Sequence, residues 1–336
     1  MDVNALEARL LDGFQHDFPL LERPYAALAA ACDCSEGEVL DTLRRLSARG
    51  AVSRVGPVFG INRIGASTLA AMALAEADLQ RVAAIVNDCR EVNHNYAREH
   101  RFNLWFVAAA ADRAALDATL ARIEARSGYA VMDLPMLRDH HIDLGFSLGK
   151  DPHRRADDRP NHPRASPSAA APRRQPGRIP AALVEALIGA IQDGLPLQPR
   201  PYACVARQIG CAEGEVLDAI AALRADGRIR RFGVVVRHRA LGWRANAMVV
   251  WDVPDARVDE LGERLGRAAP VTLCYQRPRR PPDWPYNLFS MVHGRDRDAV
   301  HAQVDELALR AGAAGLPREL LFSSRCFKQR GARYRG

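Results

Sequence analysis

The residues best equipped for chemistry fall in two stretches that read as variants of one another, "VNHNYAREHRFNLWFV" at 92–107 and "VTLCYQRPRRPPDWPYNLFSMVHG" at 271–294. Each sets a Tyr-x-Arg at the end of an apolar strand: Tyr96 and Arg98 in the first, Tyr275 and Arg277 in the second. Around them stand His94, His100 and Trp105 in one copy, and Arg279, Arg280, Trp284 and His293 in the other. Arginine's planar fork pairs carboxylates bidentately, aromatic rings wall an apolar ligand, and histidine, with an ordinary pKa near ~6.5, exchanges protons near neutrality. Such residues can pair carboxylates, wall an apolar group and exchange protons, with His94, His293 and His100 as candidate general acids. Arg54 and Arg231 stand at equivalent places just before Gly56 and Gly233. His140 and His141, at a strand end, read as surface residues, and so do His153 and His162. Tyr25 and Tyr202, each following a proline, read as helical core.

The elements that must position these residues come in two copies. Residues 19–56 align with 196–233 at a constant offset of 177, with 19 of 38 positions identical, which coincidence does not produce. Each copy opens with three helical segments, near 5–15, 24–31 and 36–48 in the first, where Ser35 and Glu38 form a capping box. A glycine and a β-rich stretch follow, giving the pattern of a winged helix-turn-helix. Next comes strand, helix, two strands, helix and a final strand "AVMDLPMLRDH", the β-α-β-β-α-β order of a ferredoxin-like domain. The expected fold class is therefore α+β, in two tandem repeats. The expected domains are 1–62 and 180–240 (winged helix-turn-helix), 63–148 and 241–332 (ferredoxin-like), and a linker at 149–179.

Composition narrows the class further. The chain has 336 residues, 48% hydrophobic and 26% charged, enough to bury sizeable cores. Its net charge of +7 is concentrated in the Pro- and Arg-rich linker, where eight basic residues stand against three aspartates, so the folded parts are nearly neutral. The seven cysteines lack Cys-x-x-Cys spacing, and neither a disulfide framework nor a zinc site is signalled. With no apolar run of spanning length and no basic-then-apolar start, a cytoplasmic location without membrane association is expected.

A helix-turn-helix followed by a ferredoxin-like domain resembles the Lrp/AsnC transcription regulators, which makes DNA binding the first reading to test. A groove-reading helix presents Arg, Lys, Asn, Gln or Ser at its N-terminal turn. Here the two copies present Glu36, Glu38 and Asp41, or Glu213, Glu215 and Asp218, which suit the helix dipole and repel phosphate. The motif reads as a scaffold that does not bind DNA.

Within that architecture the motifs resemble the siroheme decarboxylases. The first half is similar to the NirD type (His-Asn-Tyr-x-Arg-Glu-His…Asn-Leu-Trp-Phe), the second to the NirL type (Cys-Tyr-x-Arg-Pro…Trp-Pro-Tyr-Asn-Leu-Phe…Met-x-His-Gly). The resemblance covers both repeats and excludes the linker. It implies removal of two acetate carboxyl groups from siroheme to give didecarboxysiroheme, on the way to heme d1. Tyr96, Arg98, Tyr275, Arg277, Arg54, Arg231, Trp284, Arg279 and Arg280 are then expected to hold substrate, the arginines as a cationic rim. His94, His293 and His100 are the expected acids, with His94 or His293 alternatively a ligand to the substrate's iron. No protein-held cofactor or metal is called for, and homologous NirG- and NirH-like subunits or self-association are the expected partners. One departure stands out: NirL-like halves commonly carry His before the Cys-Tyr pair, and here that place is Leu273, leaving His293 as the second half's motif histidine. Two other readings stay open, a tetrapyrrole-sensing regulator and a noncatalytic siroheme-binding assembly subunit.

Overall fold

The structure, a computed structural model, describes residues 4–60, 63–142, 179–236 and 245–334. The linker expected at 149–179 lies almost entirely outside the described residues. The first repeat runs α1 (Ala5–Gly13), α2 (Pro24–Cys32), α3 (Glu36–Ala48), β1 (Val52–Phe59), β2 (Ala66–Met72), α4 (Leu79–Asp88), β3 (Val92–Arg98), β4 (Leu104–Ala110), α5 (Arg113–Ser127), β5 (Met132–Pro135) and β6 (Arg138–Ile142). The second runs α6 (Ala181–Ile191), α7 (Pro201–Ile209), α8 (Glu213–Ala225), β7 (Ile229–Val236), β8 (Ala245–Trp251), α9 (Val258–Arg267), β9 (Val271–Gln276), β10 (Leu288–Gly294), α10 (Arg297–Ala311) and β11 (Arg318–Gln329). The helical parts of both repeats form one compact unit and the sheet parts another.

In the helical unit, local chemistry sets the helix starts. Ser35 and Glu38 cap α3 reciprocally, and Pro24 and Pro201 occupy the first turns of α2 and α7, where a missing N–H costs nothing. In the second repeat Ala212 replaces Ser35, so only the Glu215 half of the box remains, accepting from Ala212 N–H at 2.8 Å. Among the described residues the β-rich stretch of each repeat forms one strand, and β1 and β7 pair with each other antiparallel, Gly56 opposite Gly233. A single strand has no local partner for its backbone, and duplication offers one. Tyr25 and Tyr202 are fully buried and reinforce this pairing, the Tyr25 hydroxyl donating to Pro196 O at 3.3 Å and the Tyr202 hydroxyl to Pro19 O at 3.1 Å.

In the sheet unit, alternation along each strand separates two faces. On β8, Ala245, Ala247, Val249 and Trp251 meet the apolar sides of α9 and α10, while Met248 and Val250 face the other way. The first repeat repeats this with Ala70 and Met72 under α4 and α5. The outward-turned rows of both repeats share a third core containing Leu69, Trp105, Leu134, Met248, Val250, Phe289 and Leu321.

The final strand of the first repeat, expected as one segment, breaks at Met136-Leu137 into β5 and β6. β5 pairs with β2 of its own repeat and β6 with β9 of the other. β11 does the reciprocal thing within one long strand: Arg318–Phe322 pair with β8, and Ser323–Gln329 with β3. In the strand order β5-β2-β4-β3-β11-β8-β10-β9-β6 the two end strands, β5 and β6, are consecutive in the chain.

The crossing of β6 corrects the reading of His140 as a surface residue. It is half-buried on α9, where a Cβ at Gly262 would overlap its ring. Phe327 holds the corresponding place on β11 against the first repeat's core. Burial pushes the His140 pKa down, against the pull of Asp259. The unfolded chain protonates such a histidine near ~6.5, so below that pH the unfolded state binds more protons and stability falls. His140→Phe is expected to remove up to about 1.4 kcal/mol per pH unit from this slope. Denaturation midpoints from about pH 7 down to about pH 5 check it, and an unchanged slope would assign the acid sensitivity to other groups.

Candidate active site

β3 carries His94, Tyr96 and Arg98 at every second position, so all three lie on the helix-free face. His94 and Tyr96 are half-buried and stacked, with ring centroids 6.2 Å apart, and the Arg98 guanidinium lies 5.9 Å from the Tyr96 ring. His94 Nδ1 is 2.7 Å from Asn93 Oδ1, an acceptor that favours the proton on Nδ1. β9 repeats the row as Leu273, Tyr275 and Arg277, with the Arg277 guanidinium 4.5 Å from the Tyr275 ring.

The arginines occupy different places from the rim expected of them. Arg98 is 8% exposed and donates from Nη1 to Leu321 O at 2.7 Å, while Arg277 is 7% exposed and donates to Leu134 O. Each holds the final strand of the other repeat where that strand crosses over, a need created by the exchange and invisible in either repeat alone. Burial lowers the Arg277 pKa, and the neighbouring Tyr275 opposes this. Arg279 is tied to Asp252 at 2.7 Å and to Asp255, and Arg280 donates from Nε to Asp133 O at 3.0 Å. Arg54 and Arg231 sit on β1 and β7 of the helical unit, where Arg54 donates to Pro57 O at 2.8 Å and Arg231 lies 3.4 Å from Gln15 Oε1.

The aromatic residues expected as walls are core. Trp105 and Trp284 are 1% and 0% exposed and pack on each other at 5.2 Å, with Phe102, Tyr286 and Phe289 around Trp284. Trp284 comes from the longer β9–β10 turn, which Arg101–Asp283, at 2.7 Å, ties to the β3–β4 turn. His100 belongs to this cluster. Its Nδ1 accepts from Phe102 N–H at 2.9 Å and its Nε2 donates to Glu319 at 2.9 Å, so both ring nitrogens are engaged. Burial lowers its pKa, with the Glu319 charge opposing. Glu319 also accepts from the Tyr286 hydroxyl at 2.6 Å. His100 thus joins the two repeats, a role its place in a turn did not suggest.

His293 is buried on β10, directly opposite Asn246 of β8, with Nε2 3.1 Å from Thr272 Oγ1. The two asparagines of the Asn-Leu motifs prove structural. Asn103 exchanges two 3.0 Å hydrogen bonds with the Leu74 backbone, and Asn287 does the same with Val253 at 3.0 and 2.9 Å. Sequence reasoning missed Asn93, Asn246, Ser323 and Glu319. Asn246 was findable, because a polar residue in register with Met248 and Val250 breaks the apolar face. In the helical unit, Glu36 and Glu213, in the first turns of α3 and α8, are tied to Arg23 and Arg200.

These observations define a class: a duplicated AsnC-like chain whose two halves complete one nine-stranded sheet. The profile of the AsnC-like ligand binding domain matches residues 63–141 and 240–328, and that of the siroheme decarboxylase NirDL-like HTH domain matches 7–52 and 185–230. The siroheme decarboxylase NirDL subunit of Paracoccus denitrificans is 44% identical over 336 residues, covering 99% of this chain and 98% of that protein. The NirD subunit of Stutzerimonas stutzeri is 56% identical over 149 residues, 44% of this chain and 98% of its own length. The crystal structure of the siroheme decarboxylase NirDL in complex with an iron-uroporphyrin III analogue superposes with a TM-score of 0.66 at 28% identity, covering 97% of this chain and 93% of that one. The chain belongs to the siroheme decarboxylase family, in its fused NirDL form.

Proposed function

We infer that this chain is a siroheme decarboxylase that removes two acetate carboxyl groups from siroheme, giving the didecarboxylated product that leads to heme d1. Full-length kinship with the Paracoccus denitrificans siroheme decarboxylase NirDL subunit carries the reading. The half-buried His94–Tyr96 pair supports it, since this pair offers a proton donor beside an aromatic surface on the helix-free face. In each step the acetate's Cα–carboxyl bond breaks and CO2 departs. The electron pair left on the methylene carbon spreads into the conjugated macrocycle, and one proton converts the methylene to a methyl group. As the imidazolium, His94 supplies that proton, which solvent then restores. Tyr96 presents a ring face to the macrocycle, and Arg98 sets that ring in place, whereas Tyr275 is buried against Phe289 and Arg277. His293 is a second acid or a ligand to the substrate's iron.

Anaerobic incubation of the purified chain with siroheme, followed by mass spectrometry of the extracted tetrapyrrole, tests this. Loss of two carboxyl groups is expected; loss of one would indicate a requirement for NirG- or NirH-like subunits in the second step. Unchanged siroheme, even with those subunits added, would favour the noncatalytic carrier. Among the described residues no helix is long and apolar enough to cross a membrane.

A further inference from the structure

We propose that Asn246 and Ser323, between His293 and Arg98, form a subsite for one carboxylate side chain of the tetrapyrrole, a proposal that rests on the siroheme reading above. The four residues make one row across three strand junctions. His293 pairs directly with Asn246. The β8–β11 ladder ends at Ala247 opposite Phe322, and the same register sets Ser323 opposite Asn246. Ser323 in turn pairs with Arg98. Cross-strand partners share a face, and Asn246, two residues before Met248, lies on the helix-free side.

Next to this row the same face is apolar: Met248, Val250 and Leu321. Asn246 is 5% exposed, yet its Oδ1 has no hydrogen-bond partner among the described residues, and neither has the buried Ser323 Oγ. Adjacent buried polar atoms without partners destabilise a fold unless something completes them. At the matching places the first repeat keeps a polar residue, Ser67, for Asn246, but has Ala109 for His293 and Met136 for Ser323. The buried histidine and serine hydroxyl are thus particular to the second copy.

The chemistry fits a carboxylate. A serine hydroxyl donates one hydrogen bond, and an asparagine amide turned half a revolution presents an NH2 group. Siroheme carries several carboxylates, one of which would complete these two groups.

The test uses the full chain with Asn246→Leu and Ser323→Ala, each close in shape to the native residue. Thermal midpoints without ligand are expected to stay level or rise, because a buried polar atom is removed. Siroheme affinity, read by anaerobic absorbance titration, should weaken about tenfold in each variant. Siroheme octamethyl ester, which lacks carboxylates, should bind parent and variants alike. Unchanged siroheme affinity, ester binding that weakens as much as siroheme binding, or a midpoint that falls together with affinity would each overturn the subsite. A parent chain that does not bind siroheme would instead overturn the functional reading on which it rests.

Discussion

His94→Ala is expected to slow the release of CO2 from siroheme by about 10²- to 10⁴-fold, the range for loss of a positioned general acid. Binding of the macrocycle should change little, because the Tyr96 ring and its arginine neighbour remain. The expectation rests on three features of the site. The ring is half-buried rather than enclosed. Its Nδ1 is held by Asn93 at 2.7 Å, which fixes the ring. Its stacking on Tyr96 sets it beside an aromatic face. Single-turnover measurement under anaerobic conditions, with affinity taken from absorbance, separates the chemical step from binding. A variant within tenfold of the parent rate would transfer the proton-donor role away from His94, with His293 the next residue to replace.

Trp284→Ala is expected to cost about 3–5 kcal/mol of stability, the usual range for emptying a large buried aromatic site. Trp284 is fully buried against Trp105, Phe102, Tyr286 and Phe289, so neighbours from both repeats lose contact at once. His100, whose ring meets Trp284 edge-on at 5.6 Å, would also lose part of its support. Denaturant unfolding at neutral pH measures the loss. A change below about 1 kcal/mol would mean that the cluster collapses to fill the space, and that it does not hold the repeats together.

Much of the fold was legible because its signals are local. The capping box at Ser35 and Glu38, the three-helix pattern and the strand alternation each depend on neighbours within a few residues. Partnership is not local. Nothing in "AVMDLPMLRDH" says that its second half will pair with β9 of the other repeat, and nothing in "RVG" or "RFG" says that the wings will pair with each other. The same limit governs the site. His94 and Tyr96 could be read together because they alternate on one strand. Arg98 and Arg277 were expected at a rim because arginine suits carboxylates, but their actual partners, Leu321 O and Leu134 O, lie 223 and 143 residues away. His100 was misjudged for the same reason, since Glu319 comes from the far end of the chain.

The reciprocal crossing of the final strands changes what it means for this protein to be one polypeptide. Because each half must donate a strand segment to complete the other's sheet, neither half has a finished fold of its own to fall back on. Two separate chains of this design would meet by diffusion, and their folded fraction would rise and fall with their abundance. Covalent joining replaces that dependence with a fixed local concentration. It also guarantees one copy of each half in every molecule. An even supply of unlike halves, which separately made subunits would have to secure through matched synthesis, is here settled by the reading frame.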